Sequence, residues 1–240
     1  MKEKLKEIEK YAEENSVPII EKNSIAFIMK YIQDNNVKNI LEIGSAIGYS
    51  AILMASAKDD VYVTTIERDE KRYLECVKNI KECGLDKKIN VALQDALELN
   101  IPVEAKYDLI FIDGLHIADQ VRRDIINAYN HLNEGGFIII HDCLPPFEAR
   151  QFEDNYEDMV NRGLGWNGST WKALPNLDKA GLDFQVLDID EGCGVIKYDG
   201  PKDFSNYTVT DLSYNDVFLD TDVRNKIMHV KTIQEFLLNV

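Results

Sequence analysis

A doubly wound α/β sheet, mostly parallel, is the fold this chain predicts, and three observations predict it. Apolar runs of strand length alternate with helix-length stretches across residues 36–143. The junction Ile40-Leu41-Glu42-Ile43-Gly44-Ser45-Ala46-Ile47-Gly48-Tyr49-Ser50 joins a strand to a helix through two glycines four apart. Beyond residue 143 the alternation stops, and two short strand-like runs follow a long irregular segment.

The elements follow in order. Residues 2–15 place Leu5, Ile8 and Ala12 on one face of an amphipathic helix. Asn15-Ser16-Val17-Pro18 breaks it, and Ile20, Ser24, Phe27, Ile28 and Ile32 space a second helix over 19–33. Strands are expected near 37–43, 60–66, 88–93, 106–112 and 135–140, with helices near 48–57, 69–83 and 117–132. Asn133-Glu134-Gly135-Gly136 reads as the turn into the fifth strand. Pro145 and Pro146 open the irregular segment, which holds Trp166 and Trp171 among Gly163, Gly165 and Gly168 and reads as a lid or binding loop. Strands at 183–189 and 193–198, split by Asp190-Glu191-Gly192, would end the sheet as an antiparallel pair. A tail over 200–240 closes in a helix near 229–238.

Composition narrows the class. The 240 residues suffice for one large α/β domain, and 45% hydrophobic content is ordinary for a folded protein. No apolar run approaches the ~20 residues that span a bilayer, so no membrane is expected. Four cysteines (Cys76, Cys83, Cys143, Cys193) form no C-x-x-C pair, and the N-terminus lacks a signal-peptide core; a cytoplasmic protein with free thiols is the reading. The net charge of −15 opposes tight non-specific binding to nucleic acid.

The glycine turn brings backbone N–H groups close to a ligand. Its G-x-x-x-G spacing lacks the G-x-G-x-x-G of dinucleotide enzymes, which argues against a dehydrogenase. With Glu42 two residues before the first glycine, it resembles motif I of class I S-adenosylmethionine-dependent methyltransferases. Glu67 ends the second strand about 20 residues past the turn, where an acid can bind both ribose hydroxyls. Gln94-Asp95-Ala96, after the third strand, resembles the loop whose acid meets the adenine amino group. The resemblance thus implies a seven-stranded Rossmann-like methyltransferase sheet with its last strand antiparallel. It implies a cofactor site of Glu42, Gly44, Ser45, Gly48, Tyr49, Ser50, Glu67, Arg68, Asp95, Ala96 and Asp113.

Asp113-Gly114-Leu115-His116 ends the fourth strand and His141-Asp142-Cys143 the fifth. Two carboxylates with two histidines suggest a divalent ion, which would lower the pKa of a substrate hydroxyl. From Asn15 through the glycine turn the chain looks like the metal-dependent O-methyltransferases of the catechol and caffeoyl-CoA type, above all a bacterial branch that includes tRNA hydroxyuridine enzymes. That family's ligands imply Asp113 and Asp142 as holders of Mg²⁺. Its third ligand, an asparagine, is Cys143 here, and its lysine base is His116. The second half (F-I-D-G-L-H, I-I-H-D-C-L-P-P, G-S-T-W-K-A-L) is similar to a broad bacterial methyltransferase family, which implies His141, Asp142, Trp171 and Lys172 near the active site.

The expectation is one domain over 1–240: helices 1–35, cofactor core 36–143, acceptor segment 144–180, final strands 181–199 and tail 200–240. Its reaction would be O-methylation of a small hydroxylated acceptor, with Asp113, His116, His141 and Asp142 as catalytic residues. The alternatives are a tRNA methyltransferase and a catalytically silent cofactor-binding protein. The tail could support a homodimer.

Overall fold

The computed structural model describes residues 1–96, 101–102 and 104–237. Eight strands and nine α-helices occur among them. Met1–Gly114 and Leu115–Val240 each form a compact unit.

The first unit opens with α1 (Lys2–Glu14) and α2 (Lys22–Asp34). Their apolar faces bury Ile8 and Ala12, then Ile25, Phe27, Ile28, Tyr31 and Ile32, which the helical spacing selects. Then β1 (Asn39–Ile43), α3 (Tyr49–Ser56), β2 (Tyr62–Glu67), α4 (Glu70–Glu82), β3 (Ile89–Leu93) and β4 (Tyr107–Ile112) alternate. The strands lie in the order β3-β2-β1-β4, all parallel. The chain moves outward from β1 to β3, then returns to the other side of β1. Ligands of open α/β sheets sit at the carboxyl ends of the strands flanking such a reversal. Ile40, Leu41, Ile43, Leu109, Ile110 and Phe111 are fully buried, as helices on both faces of a parallel sheet require.

The second unit holds α5 (Ala118–Asn130), β5 (Leu132–Ile140), α6 (Tyr156–Asn161), β6 (Phe184–Leu187) and β7 (Cys193–Lys197). After these come α7 (Tyr214–Phe218), α8 (Thr221–Ile227), β8 (Val230–Lys231) and α9 (Ile233–Leu237). The strands run in the order β5-β7-β6-β8, with β7 antiparallel to β5 and β6, and β8 parallel to β6.

Four local expectations change. The strand count is eight, because the tail contributes β8. The helix expected near 229–238 is therefore this strand followed by α9, and its last residue lies outside the described residues. Asn133–Gly136 is part of β5, where Gly135 takes φ +74°. The segment after residue 143 holds α6 and three single-turn 3₁₀ helices, at Glu148–Gln151, Thr170–Ala173 and Leu177–Ala180.

The tail folds back onto that segment within the same chain. The Tyr207 hydroxyl donates to the Ala173 carbonyl at 2.6 Å, and the Phe218 ring meets Trp171 edge-on at 5.1 Å. Among the described residues no helix is long and apolar enough to cross a membrane. Cys76, Cys83, Cys143 and Cys193 form no disulfide.

Candidate active site

In the first unit the turn after β1 is bound from three sides. The Gly44 and Ser45 N–H groups both donate to the Ile66 carbonyl at 3.0 Å, and the Ala46 N–H donates to Glu67 Oε2 at 2.8 Å. Gly44 has φ +101°, and a Cβ there would stand 2.1 Å from the Asp113 carbonyl oxygen. Only glycine lets this turn lie against the end of β4. Asp113 is fixed there by its own N–H, which donates to the Ile43 carbonyl at 2.9 Å.

Glu67 accepts three backbone N–H groups, from Ala46, Arg68 and Asp69. Its carboxylate is thereby pinned at the end of β2 before any ligand arrives. Beside it a cleft of about 400 Å³ is lined by Arg68, Asp69, Leu93, Gln94 and Asp95. Two expected ribose and adenine contacts, Glu67 and Asp95, thus belong to one end of the sheet, and Ala96 follows directly.

Glu42 is fully buried. Its Oε1 accepts from the Ser50 hydroxyl and its Oε2 from Thr65 Oγ1 at 2.5 Å. Burial pushes its carboxyl up to about 7; the two hydroxyls pull the other way, and the charges of Asp113 and Glu67 add to the rise. Tyr49 donates its hydroxyl to Glu9 of α1 at 2.6 Å, tying the N-terminal helix to the start of α3. Gly48, with φ +85°, caps α3 and packs on Cys76 of α4.

In the second unit the histidines and acids meet. His116 Nδ1 lies 3.2 Å from Asp142 Oδ2, and His141 Nδ1 lies 3.7 Å from the same oxygen. Asp142 takes φ +62°, a left-handed conformation that Asp tolerates better than most residues. The turn at 190–192 holds it there: Cys143 N–H donates to the Gly192 carbonyl and Leu144 N–H to that of Glu191. The other Asp142 oxygen accepts from the Asn167 amide at 2.8 Å. The Trp166 ring stacks on His116 at 5.4 Å and 14°, and Tyr156 meets Trp166 edge-on.

A family described as a methyltransferase domain matches residues 41–143. A candidate caffeoyl-CoA O-methyltransferase of Arabidopsis thaliana is 33% identical over 113 residues, 45% of this chain and 47% of that one. The chain spans about half the length of the Arabidopsis relatives it matches. A solved structure of a candidate caffeoyl-CoA O-methyltransferase from Staphylococcus aureus is 30% identical, with 81% of this chain and 92% of that one covered and a TM-score of 0.63. The chain belongs to the class I S-adenosylmethionine-dependent O-methyltransferases of the caffeoyl-CoA type. An O-methyltransferase from Bacillus cereus, solved with S-adenosylhomocysteine, shares the fold at 20% identity and a TM-score of 0.64, over 82% of this chain and 91% of that one.

Against this family, the third metal-ligand position is the point of departure. Cys143 is buried, its thiol donates to the Ile140 carbonyl at 3.3 Å, and burial pushes its pKa up. A neutral, hydrogen-bonded thiol does not fit the place of an asparagine oxygen that binds a hard cation. Trp171 is also unlike its expected role. It is fully buried, its indole N–H donates to Gln151 at 2.9 Å, and its ring is covered by Phe218. Lys172 leans over the Trp171 ring, with Nζ 5.7 Å from its centroid. The aromatic side chain on the histidine is Trp166. Asn167 was not singled out from the sequence; its only signal was its position between Trp166 and the tight turn at Gly168.

Proposed function

We propose that the chain transfers the methyl group of S-adenosylmethionine to a hydroxyl oxygen of a small acceptor. Glu67 binds the ribose hydroxyls, and Asp95 accepts from the adenine amino group at the edge of the cleft. The Bacillus cereus relative was solved with S-adenosylhomocysteine, which supports this cofactor. Bound S-adenosylmethionine supplies an electrophilic methyl on a sulfonium cation. The observation that carries the reading is the place of His116 beside the buried Asp142, with Nδ1 3.2 Å from Oδ2, which sets an imidazole able to take a proton next to a carboxylate. His116 takes the acceptor's hydroxyl proton while the new carbon–oxygen bond forms and the carbon–sulfur bond breaks. S-adenosylhomocysteine and the methyl ether are the products. His141 Nδ1 lies 3.7 Å from the same carboxylate oxygen.

We assign no step to a metal. One Asp142 oxygen already accepts from the Asn167 amide, and Cys143 does not supply the third ligand. The test is S-adenosylhomocysteine formation across a panel of catechols, phenols and sugar alcohols, with and without EDTA. Turnover that survives EDTA and falls at least ~100-fold in His116→Gln supports the reading, the loss expected for a general base. Turnover that EDTA abolishes and Mg²⁺ restores would return the chemistry to a divalent metal. An enzyme indifferent to His116→Gln would contradict the base assignment.

A further inference from the structure

Four side chains form a continuous hydrogen-bonded chain from Arg150 to the acid beside His116. Arg150 Nη1 donates to Glu191 Oε1 at 2.7 Å. The other Glu191 oxygen accepts from the Asn167 amide at 3.2 Å, and the same amide nitrogen donates to Asp142 Oδ1 at 2.8 Å. Donors and acceptors alternate without a break: the guanidinium donates, both Glu191 oxygens accept, the amide donates both hydrogens, and Asp142 accepts. Asn167 is fully buried, and Asp142 and Arg150 are nearly so. Asn167 Oδ1 meets no donor among the described residues, so the two acids alone orient the amide.

The backbone ties the same residues together. The Arg150 carbonyl accepts from the Asn167 N–H at 3.1 Å and the Gly168 N–H at 3.0 Å, and Thr170 Oγ1 donates to the Asn167 carbonyl at 3.1 Å. The Glu191 carbonyl accepts from the N–H of Leu144 at 2.7 Å, two residues beyond Asp142. Gly165, with φ +68°, passes so close to the guanidinium that a Cβ there would press into Arg150 Nη2. Stability does not account for this arrangement. A buried ion pair is worth little more than apolar side chains of the same volume, and an amide oxygen buried without a donor is a cost. What the chain of bonds does supply is a fixed place for the Asp142 carboxylate.

We propose that Arg150 and Glu191 are positioning residues of the reaction, acting on the Asp142 carboxylate through Asn167. Asn167 grips the carboxylate, Glu191 turns the amide, and Arg150 holds Glu191. The inference rests on His116 and Asp142 forming the site of proton transfer, and it holds whichever imidazole nitrogen carries the proton.

Glu191→Gln breaks the chain by a single atom, since glutamine offers one acceptor where glutamate offers two. Its oxygen stays with the charged guanidinium, and its NH₂ then faces the Asn167 amide. An Asn167 that turns its oxygen to that group no longer presents a hydrogen to Asp142. Crystal structures of the wild type and Glu191→Gln should therefore differ at Asp142, with the bond to Asn167 broken and the carboxylate turned away. Turnover is followed as S-adenosylhomocysteine formation on catechols, phenols and sugar alcohols. In Glu191→Gln, kcat should fall about 10- to 100-fold, the loss expected of a misplaced group, with KM for S-adenosylmethionine unchanged. Adding Arg150→Met frees the glutamine oxygen to accept from Asn167, so the double variant should recover part of the lost kcat, which damage to the fold alone would not produce. An Asp142 that keeps its place in Glu191→Gln would overturn the proposal, and it decides the matter even where the double variant does not fold. So would an unchanged kcat, a change confined to KM, or a folded double variant slower than Glu191→Gln. A wild type that methylates none of these acceptors would instead contradict the proposed reaction, and the place of Asp142 in the variant would still decide the positioning.

Discussion

At Glu42 a fully buried carboxyl is raised from 4.5 to about 7, chiefly by burial. Between those pH values the folded chain keeps a proton that the unfolded chain has released. Stability therefore falls as pH rises through that window, and the loss is complete above it. The size of the shift corresponds to about 3 kcal/mol. Urea unfolding at pH 5 and pH 8 should show this loss in the wild type and a smaller one in Glu42→Gln, which carries no charge at either pH. Equal losses in the two proteins would assign the effect elsewhere. The role of Glu42 in the sequence pattern was only that of an acid before a glycine. Its two hydroxyl partners, Ser50 eight residues on and Thr65 in the next strand, depend on how β1, α3 and β2 come together, which a linear motif does not encode.

Among the elements, the parallel strands of the first unit were readable because each is a short, nearly continuous apolar run closed by a glycine or an acid. The segment after residue 143 was not. Its helices are only four to six residues long, and β8 is two residues long, with a partner in β6 as its only definition. The two tryptophans show the consequence. Both sit among glycines and prolines, and pattern alone could not tell a buried anchor from a ring placed on the site. Trp171 is the anchor, so Trp171→Ala should cost about 3–5 kcal/mol by leaving a large cavity. Trp166, which is half-buried, should cost far less stability and lose turnover instead. Thermal unfolding with parallel rate measurements separates these outcomes; a reversed order would mean that the two roles are exchanged.

At the scale of the whole molecule, the acidic balance of 42 Asp and Glu against 27 Lys and Arg fits a small-molecule acceptor better than a polyanionic one. The residues proposed to bind the cofactor lie in Met1–Gly114, whereas His116, Asp142 and Asn167 lie in Leu115–Val240. That division has a consequence for mutagenesis. Changes at Glu67 should remove cofactor binding, and changes at Asn167 should leave it intact. The residues proposed to bind the cofactor stood out in the sequence because they end successive strands at fixed intervals. Of the residues around the proposed proton transfer, the sequence marked His116, His141 and Asp142 but not Asn167, which reaches Asp142 across 25 residues of irregular chain.

The most direct test of the account is the thermal midpoint of the purified protein with increasing S-adenosylhomocysteine, for the wild type and Glu67→Gln. A ligand that binds the native state raises the midpoint by mass action. The account predicts a saturable rise in the wild type that is largely lost in Glu67→Gln, because a neutral amide cannot replace a carboxylate that accepts three N–H groups and is proposed to accept the ribose hydroxyls as well. No rise in the wild type at millimolar ligand would contradict the methyltransferase function itself.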